Sequence, residues 1–159
     1  MYKDHAPRIY TEQEAYQRLS ALCAMGERCC YDVQEKLKRM GVDEDAAERI
    51  VARLVQEGFI DEERYAQAFA NDKFRYNHWG KVKIQRELQL RHIPQRHIDQ
   101  ALSAFDEADN LQTLREILQK KRPSVKGKTH YEVKCKLIRF ALGRGFPMDD
   151  ITKVLGDID

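Results

Sequence analysis

Apolar residues recur along this chain at spacings of three and four, and the strict alternation of a strand is absent, which predicts helices throughout. Thr11 with Glu14 forms a capping-box pattern and opens a first helix whose apolar stripe is Ala15, Leu19, Leu22 and Cys23. A second helix runs from about Cys30 to Met40, with Val33 and Leu37 on one face, and stops at Gly41. A third spans about Asp45 to Glu57, where Ala47, Ile50, Val51 and Leu54 line up ahead of Gly58. Thr129 with Glu132 repeats the capping pattern before a helix carrying Val133, Leu137, Phe140 and Ala141. Asp61, Glu62 and Glu63 read as a helix start, where negative charge favours the dipole. Pro94 and Pro147 sit where a first helical turn tolerates proline, and Gly143 with Gly145 reads as a helix stop. Lys120 to Lys128, with Pro123 and Gly127, reads as the loosest connection.

Compared with itself, the chain repeats. A shift of 51 residues carries Val33 and Leu37 onto Ile84 and Leu88, and a further 53 carries these onto Leu137 and Ala141. The same shifts carry Val42 onto Ile93 and then Phe146, each closing a turn between helices. Ala47, Ile50, Val51 and Leu54 match Ile98, Ala101, Leu102 and Phe105, then Ile151, Val154, Leu155 and Ile158. The first helices match more loosely, Tyr16 and Leu19 with Tyr65 and Ala68, then Leu111, Leu114 and Leu118. Three aligned stripes imply three copies of a three-helix unit of about fifty residues. The expected division is a flexible segment 1–10 followed by repeats at 11–60, 61–108 and 109–159. Units so small have thin cores and lean on their neighbours, as solenoid repeats do. The expected fold is all-α, an elongated array, straight or curved, of three tandem three-helix repeats.

Charge then separates the copies. The chain has 159 residues, with 28 Lys plus Arg against 26 Asp plus Glu, so its net charge of +2 excludes a uniform polycation. On the second-helix wheel Lys83 and Arg86 lie opposite Ile84 and Leu88. The repeat shift carries them onto Lys136 and Arg139, and carries Lys81 onto Lys134. The first copy has Asp32 and Glu35 instead, so the sign inverts. Glu87 is the only acid between Lys73 and Arg96, and Glu132 the only one between Lys120 and Arg144, whereas Asp43 to Glu63 is acidic. Lys81, Lys83, Arg86, Lys134, Lys136 and Arg139 are therefore the candidate partner-binding residues. A polyanion or a large protein with acidic patches suits them.

Groups for catalysis are missing from the pattern. Ser20, Ser103 and Ser124 lie in no nucleophile-elbow context, and no glycine-rich loop follows a strand. Cys23, Cys29, Cys30 and Cys135 form no C-x-x-C pair and are expected to be free thiols on mostly buried faces. The five histidines are scattered, so neither a metal nor any other cofactor is expected. No apolar run approaches the roughly 20 residues of a membrane span. The segment Met1 to Tyr10 lacks the apolar core of a signal peptide, and a cytoplasmic protein is expected.

The stretch Glu57-Gly58-Phe59-Ile60-Asp61-Glu62-Glu63-Arg64-Tyr65-Ala66 closely resembles the signature of the bacterial RecX regulators, a G-[FY]-[ILV]-D-[DE]-x-R-[FY]-A pattern. The run Trp79-Gly80-Lys81-Val82-Lys83-Ile84-Gln85-Arg86-Glu87-Leu88 resembles that family's basic, glycine-led second helix. The likeness covers about residues 12 to 158. His92 stands where the family usually has the glycine before the turn aliphatic, here Ile93, which places a side chain in a left-handed cap. The resemblance implies a non-enzymatic modulator of the RecA recombinase, usually an inhibitor. Such proteins lie in the groove of the RecA–DNA filament and curb its growth, ATP hydrolysis and strand exchange in DNA repair and recombination. The implied partners are the RecA filament and, through phosphates, single- or double-stranded DNA, with a monomer expected. The alternative is a stand-alone helix-turn-helix-like DNA-binding protein, with Gln85, Arg86 and Gln89 as base readers. A purely structural scaffold is a weaker third reading.

Overall fold

The computed structural model describes residues 8–158, with side chains through Gly156. Most of the 1–10 segment and the Ile158 side chain thus lie outside the described residues. In chain order the helices are α1 Glu12–Met25, α2 Cys30–Arg39, α3 Glu44–Gln56, α4 Glu62–Arg75, α5 Lys81–Leu90, α6 Gln95–Ser103, α7 Glu107–Lys121, α8 His130–Gly143 and α9 Met148–Ile158. A 3-10 turn, Arg122–Ser124, follows α7, and no strand occurs among the described residues. The all-helical reading is borne out.

Local chemistry sets the ends. Thr11 accepts from the Glu14 N–H at 3.1 Å, Asp43 from Ala46 at 2.9 Å and Thr129 from Glu132 at 3.2 Å. Asp61 accepts from Arg64 N–H at 3.0 Å and starts α4, as the acidic run predicted. Pro94 proves to be the N-cap of α6 rather than its first helical residue. Gly143 is the last residue of α8, and Gly145, at φ +93, makes the turn. The connection read as Lys120 to Lys128 begins later, because α7 continues through Lys121 into the 3-10 turn.

The described residues form two compact units, one comprising 8–65 together with Arg91–Ile93, the other Ala66–Leu90 and 94–158. In the first, Ala15, Tyr16 and Leu19 of α1 pack with Val33, Leu37, Ile50, Val51, Leu54 and Ile60. A polar clasp joins α1 to α3. The Tyr16 hydroxyl donates to Glu57, Arg53 Nε donates to the same carboxylate at 2.9 Å, and the Arg53 guanidinium lies 3.6 Å from the Tyr16 ring centre. These two hydrogen bonds hold the Glu57 carboxyl below its usual range.

In the second unit, Leu111, Leu114, Ile117 and Leu118 of α7 pack with Leu137, Ala141, Phe146, Ile151, Val154 and Leu155. Phe74 and Phe105 stack with ring centres 4.6 Å apart. Leu37, Leu88 and Ala141, the equivalent positions of the sequence stripes, are each 0% exposed. On α4 the buried residues are Tyr65, Ala66, Ala70 and Phe74, and Ala68 is only half-buried, so of the loosest match Tyr65 lies in the core and Ala68 at its edge.

Candidate partner-binding surface

The signature at residues 57–66 is spent on folding. Gly58, at φ +79, ends α3 by letting Phe59 N–H reach the Leu54 carbonyl at 2.9 Å. Ile60, Tyr65 and Ala66 are buried. Arg64 turns back, donating to the Gly58 carbonyl at 3.1 Å and to Glu27 at 2.5 Å. The Glu62 carboxylate accepts from Cys30 N–H at 3.4 Å, at the open start of α2. Burial pushes the Cys29 thiol up to about 12, and burial with the adjacent Glu62 carboxylate does the same to Cys30.

The start of α5 is closed differently, by backbone from the turn between α8 and α9. Gly80 N–H donates to the Arg144 carbonyl at 2.7 Å and Val82 N–H to the Gly145 carbonyl at 3.0 Å. These satisfy first-turn donors that a helix leaves open. The approach requires two glycines. A Cβ on Gly80 would lie 2.4 Å from the Gly145 oxygen, and one on Gly145 would lie 2.3 Å from the Lys83 Cβ.

The repeat shifts carry Gly80 back onto Cys29 and Gly145 back onto His92. In the first unit the turn at His92 accordingly meets the start of α2. The Tyr31 and His92 rings are 5.5 Å apart, and Arg91 Nε lies 3.9 Å from Asp32. His92 takes the left-handed conformation expected of its position, at φ +56. Side chains do there what two glycines and backbone hydrogen bonds do at α5. The sequence marks His92 as a departure from the family pattern, but the docking of its turn on α2 is not legible there. The signal available was the matched pair of glycines, 80 and 145.

Among the six candidate basic residues, Arg86, Lys134, Lys136 and Arg139 are exposed, while Lys81 and Lys83 are half-buried at the α5 start. Lys83 packs its Cβ on Gly145 and holds its ammonium 4.4 Å from the Trp79 ring centre. Lys136 donates to the Lys126 carbonyl. The structure gathers Lys81, Lys83 and Arg86 on one helix and Lys134, Lys136 and Arg139 on another. On the first-copy helix, Asp32 and Glu35 are half-buried and Asp32 faces Arg91. Gln85 and Gln89 both bond Gln95, at 3.5 and 3.2 Å, and Gln95 donates to Asp99 at 2.8 Å, so these amides are tied to α6.

Two family profiles match this chain: RecX, second three-helix domain, over residues 61–102, and RecX, third three-helix domain, over residues 107–155. A Chlorobium phaeobacteroides protein named Regulatory protein RecX is 31% identical over 147 residues, 92% of this chain and 95% of that protein. A Clostridium acetobutylicum protein of the same name is 33% identical over 132 residues, 80% of this chain but 60% of its own length. The chain therefore spans nearly all of one relative and well under two thirds of the other. The crystal structure of RecX from Lactobacillus salivarius superimposes with a TM-score of 0.77 at 18% identity, covering 93% of this chain and 96% of that one. A second crystal structure, of regulatory protein RecX, gives a TM-score of 0.81 at 20% identity, covering 91% and 71%. At these identities the two structures share the fold.

Proposed function

The chain belongs to the RecX family of regulatory proteins, and from that premise we propose that it regulates the RecA recombinase. On this reading it acts in the cytoplasm as a monomer. It binds in the groove of the RecA–DNA filament and limits filament growth, ATP hydrolysis and strand exchange without a catalytic step of its own. The observation that carries the reading is the recurrence of one basic face on two equivalent helices, Lys81, Lys83 and Arg86 on α5 and Lys134, Lys136 and Arg139 on α8. Repeats at 11–60, 61–108 and 109–159 would present similar faces to successive subunits of a helical polymer. Weak contacts then multiply through effective concentration. The tethering of Gln85 and Gln89 to Gln95 counts against the rival, since a groove-reading helix needs those amides free for base edges.

The test adds purified protein, below RecA's own concentration, to preformed RecA filaments on single-stranded DNA and follows ATP turnover. Turnover is expected to fall. Unchanged turnover up to equimolar ratio, with the protein shown to be folded by circular dichroism, removes RecA inhibition.

A further inference from the structure

The face of α8 turned away from the core differs in kind among the three copies. Tyr131, Cys135, Ile138 and Leu142 recur at spacings of four, three and four, which places them on one side of the helix. Leu137 and Ala141, which reach the core, lie on another side. Tyr131 is 76% exposed, Leu142 47% and Met148, the first residue of α9, 46%, while Cys135 and Ile138 are half-buried. The repeat shifts carry Ile138, Leu142 and Met148 back onto Gln85, Gln89 and Gln95, and then onto Gln34, Lys38 and Glu44. In the second copy Gln95 bonds both of the other amides. In the third copy the same three places are apolar. Single exposed apolar side chains are ordinary, but an unbroken row of four on one helix, partly at places where the other copies are polar, is a contact surface.

Spacing that alternates between four and three is that of a seam between paired helices. The charges beside the row say what covers it. Glu132 and Arg139 flank it on one edge, both exposed, and among the described residues neither has an ion-pair partner. Glu132 spends one oxygen on the Lys128 N–H, at 2.8 Å. When a second α8 runs antiparallel along the row, Tyr131 meets Leu142 and Cys135 meets Ile138, each twice. Glu132 of either copy then comes level with Arg139 of the other. Lys134, on the opposite edge, comes level with Ala141, so no like charges meet. An acidic partner satisfies Arg139 but repels Glu132, whereas a second copy satisfies both.

We propose that the α8 face formed by Tyr131, Cys135, Ile138 and Leu142 pairs with the same face of a second copy, antiparallel and related by a twofold axis, with Glu132 of each copy on Arg139 of the other. A face one helix wide falls short of the roughly 800 Å² per partner of a standard interface, so the dimer is weak and dissociates on dilution. Pairing occupies Arg139, one of the candidate filament contacts, so the monomer is the form that binds and the dimer the resting form. That consequence rests on the proposed function; the pairing itself does not, and it is tested on this protein alone.

Sedimentation velocity from about 5 to about 500 μM should show a weight-average coefficient that rises to that of a dimer, with a midpoint on the order of 50 μM. Ile138→Gln with Leu142→Gln, the pair that the second copy carries, should stay monomeric over the same range. Glu132→Arg alone and Arg139→Glu alone should each weaken the dimer about tenfold, because each change sets two pairs of like charges against one another. Combining the two should bring the midpoint back to within about threefold of the parent's. Thermal melts of all four variants check that they fold like the parent, since Glu132 also serves the start of α8. Three results overturn the pairing: a parent that stays monomeric throughout, a glutamine variant that dimerises like the parent, or a combined reversal that pairs no more tightly than the single ones. The first of these hands the face to an apolar helix of another protein.

Discussion

At the residue scale the most constrained chemistry is that of the adjacent cysteines at the start of α2. Cys29 is 0% exposed, and its sulfur accepts from Asp32 N–H at 3.4 Å as the helix N-cap. All four cysteines are free, so none contributes a covalent staple. With Cys29 and Cys30 both pushed up to about 12, the folded chain keeps two protons that the unfolded chain loses near an ordinary thiol pKa of about 8.5. The sign follows directly. Above that ordinary value the unfolded state binds fewer protons than the folded one, so stability falls as pH rises from about 9 towards 12. Below it the contribution is complete and level. Urea midpoints at pH 8 and pH 10.5 should therefore drop in the parent, and drop less in a Cys29→Ala, Cys30→Ala variant. Equal drops would show that these thiols do not carry the dependence.

At the scale of elements, the start of α5 shows why glycine leads that helix. Its first-turn N–H groups are satisfied by a turn more than sixty residues away, and only the absence of two Cβ atoms lets the backbones meet. Gly80→Ala should cost about 1–3 kcal/mol as an overpacking change, and Gly145→Ala more, because φ +93 adds backbone strain. Gly143, the last residue of α8 with open space around its missing Cβ, makes the contrast. Gly143→Ala should stabilise by less than the roughly 0.5–1 kcal/mol that alanine gains in a helix interior, because the position is the helix's last. Thermal unfolding of the three variants reads all three signs. A Gly80→Ala protein as stable as the parent would mean that the contact relaxes freely.

For the whole molecule, the question is whether binding resides in the second and third copies. Reversing Lys83, Arg86, Lys136 and Arg139 to Glu should weaken cosedimentation with RecA–DNA filaments and flatten its salt dependence. Stability should change little at the three exposed positions, by about 0.5 kcal/mol or less each. At Lys83 the loss of the Trp79 contact adds about 0.5–1 kcal/mol. Reversing Asp32 and Glu35 to Lys should leave filament binding level or tighter, although Asp32 gives up its contact with Arg91. If the fourfold reversal binds like the parent, these side chains are ordinary solvated charges.

Helix content and the buried stripe were legible in the chain, because each depends on residues three to five apart along one helix or its cap, whereas the left-handed turn at His92 was indicated only by the family resemblance. Val33, Leu37, Ile84, Leu88, Leu137 and Ala141 had to face inward once the helices formed, whatever the helices packed against. The identity of what they met was not legible. Lys83 reads as an outward charge on a helical wheel, yet its Cβ lies on Gly145 and its ammonium over Trp79. Arg64 reads as part of a signature, and only folding brings it to Glu27, 37 positions earlier. The spacing of polar and apolar residues encodes direction relative to one helix axis. Which backbone approaches within hydrogen-bond reach, and which ring lies under which cation, depends on separations of tens of residues that no local period records.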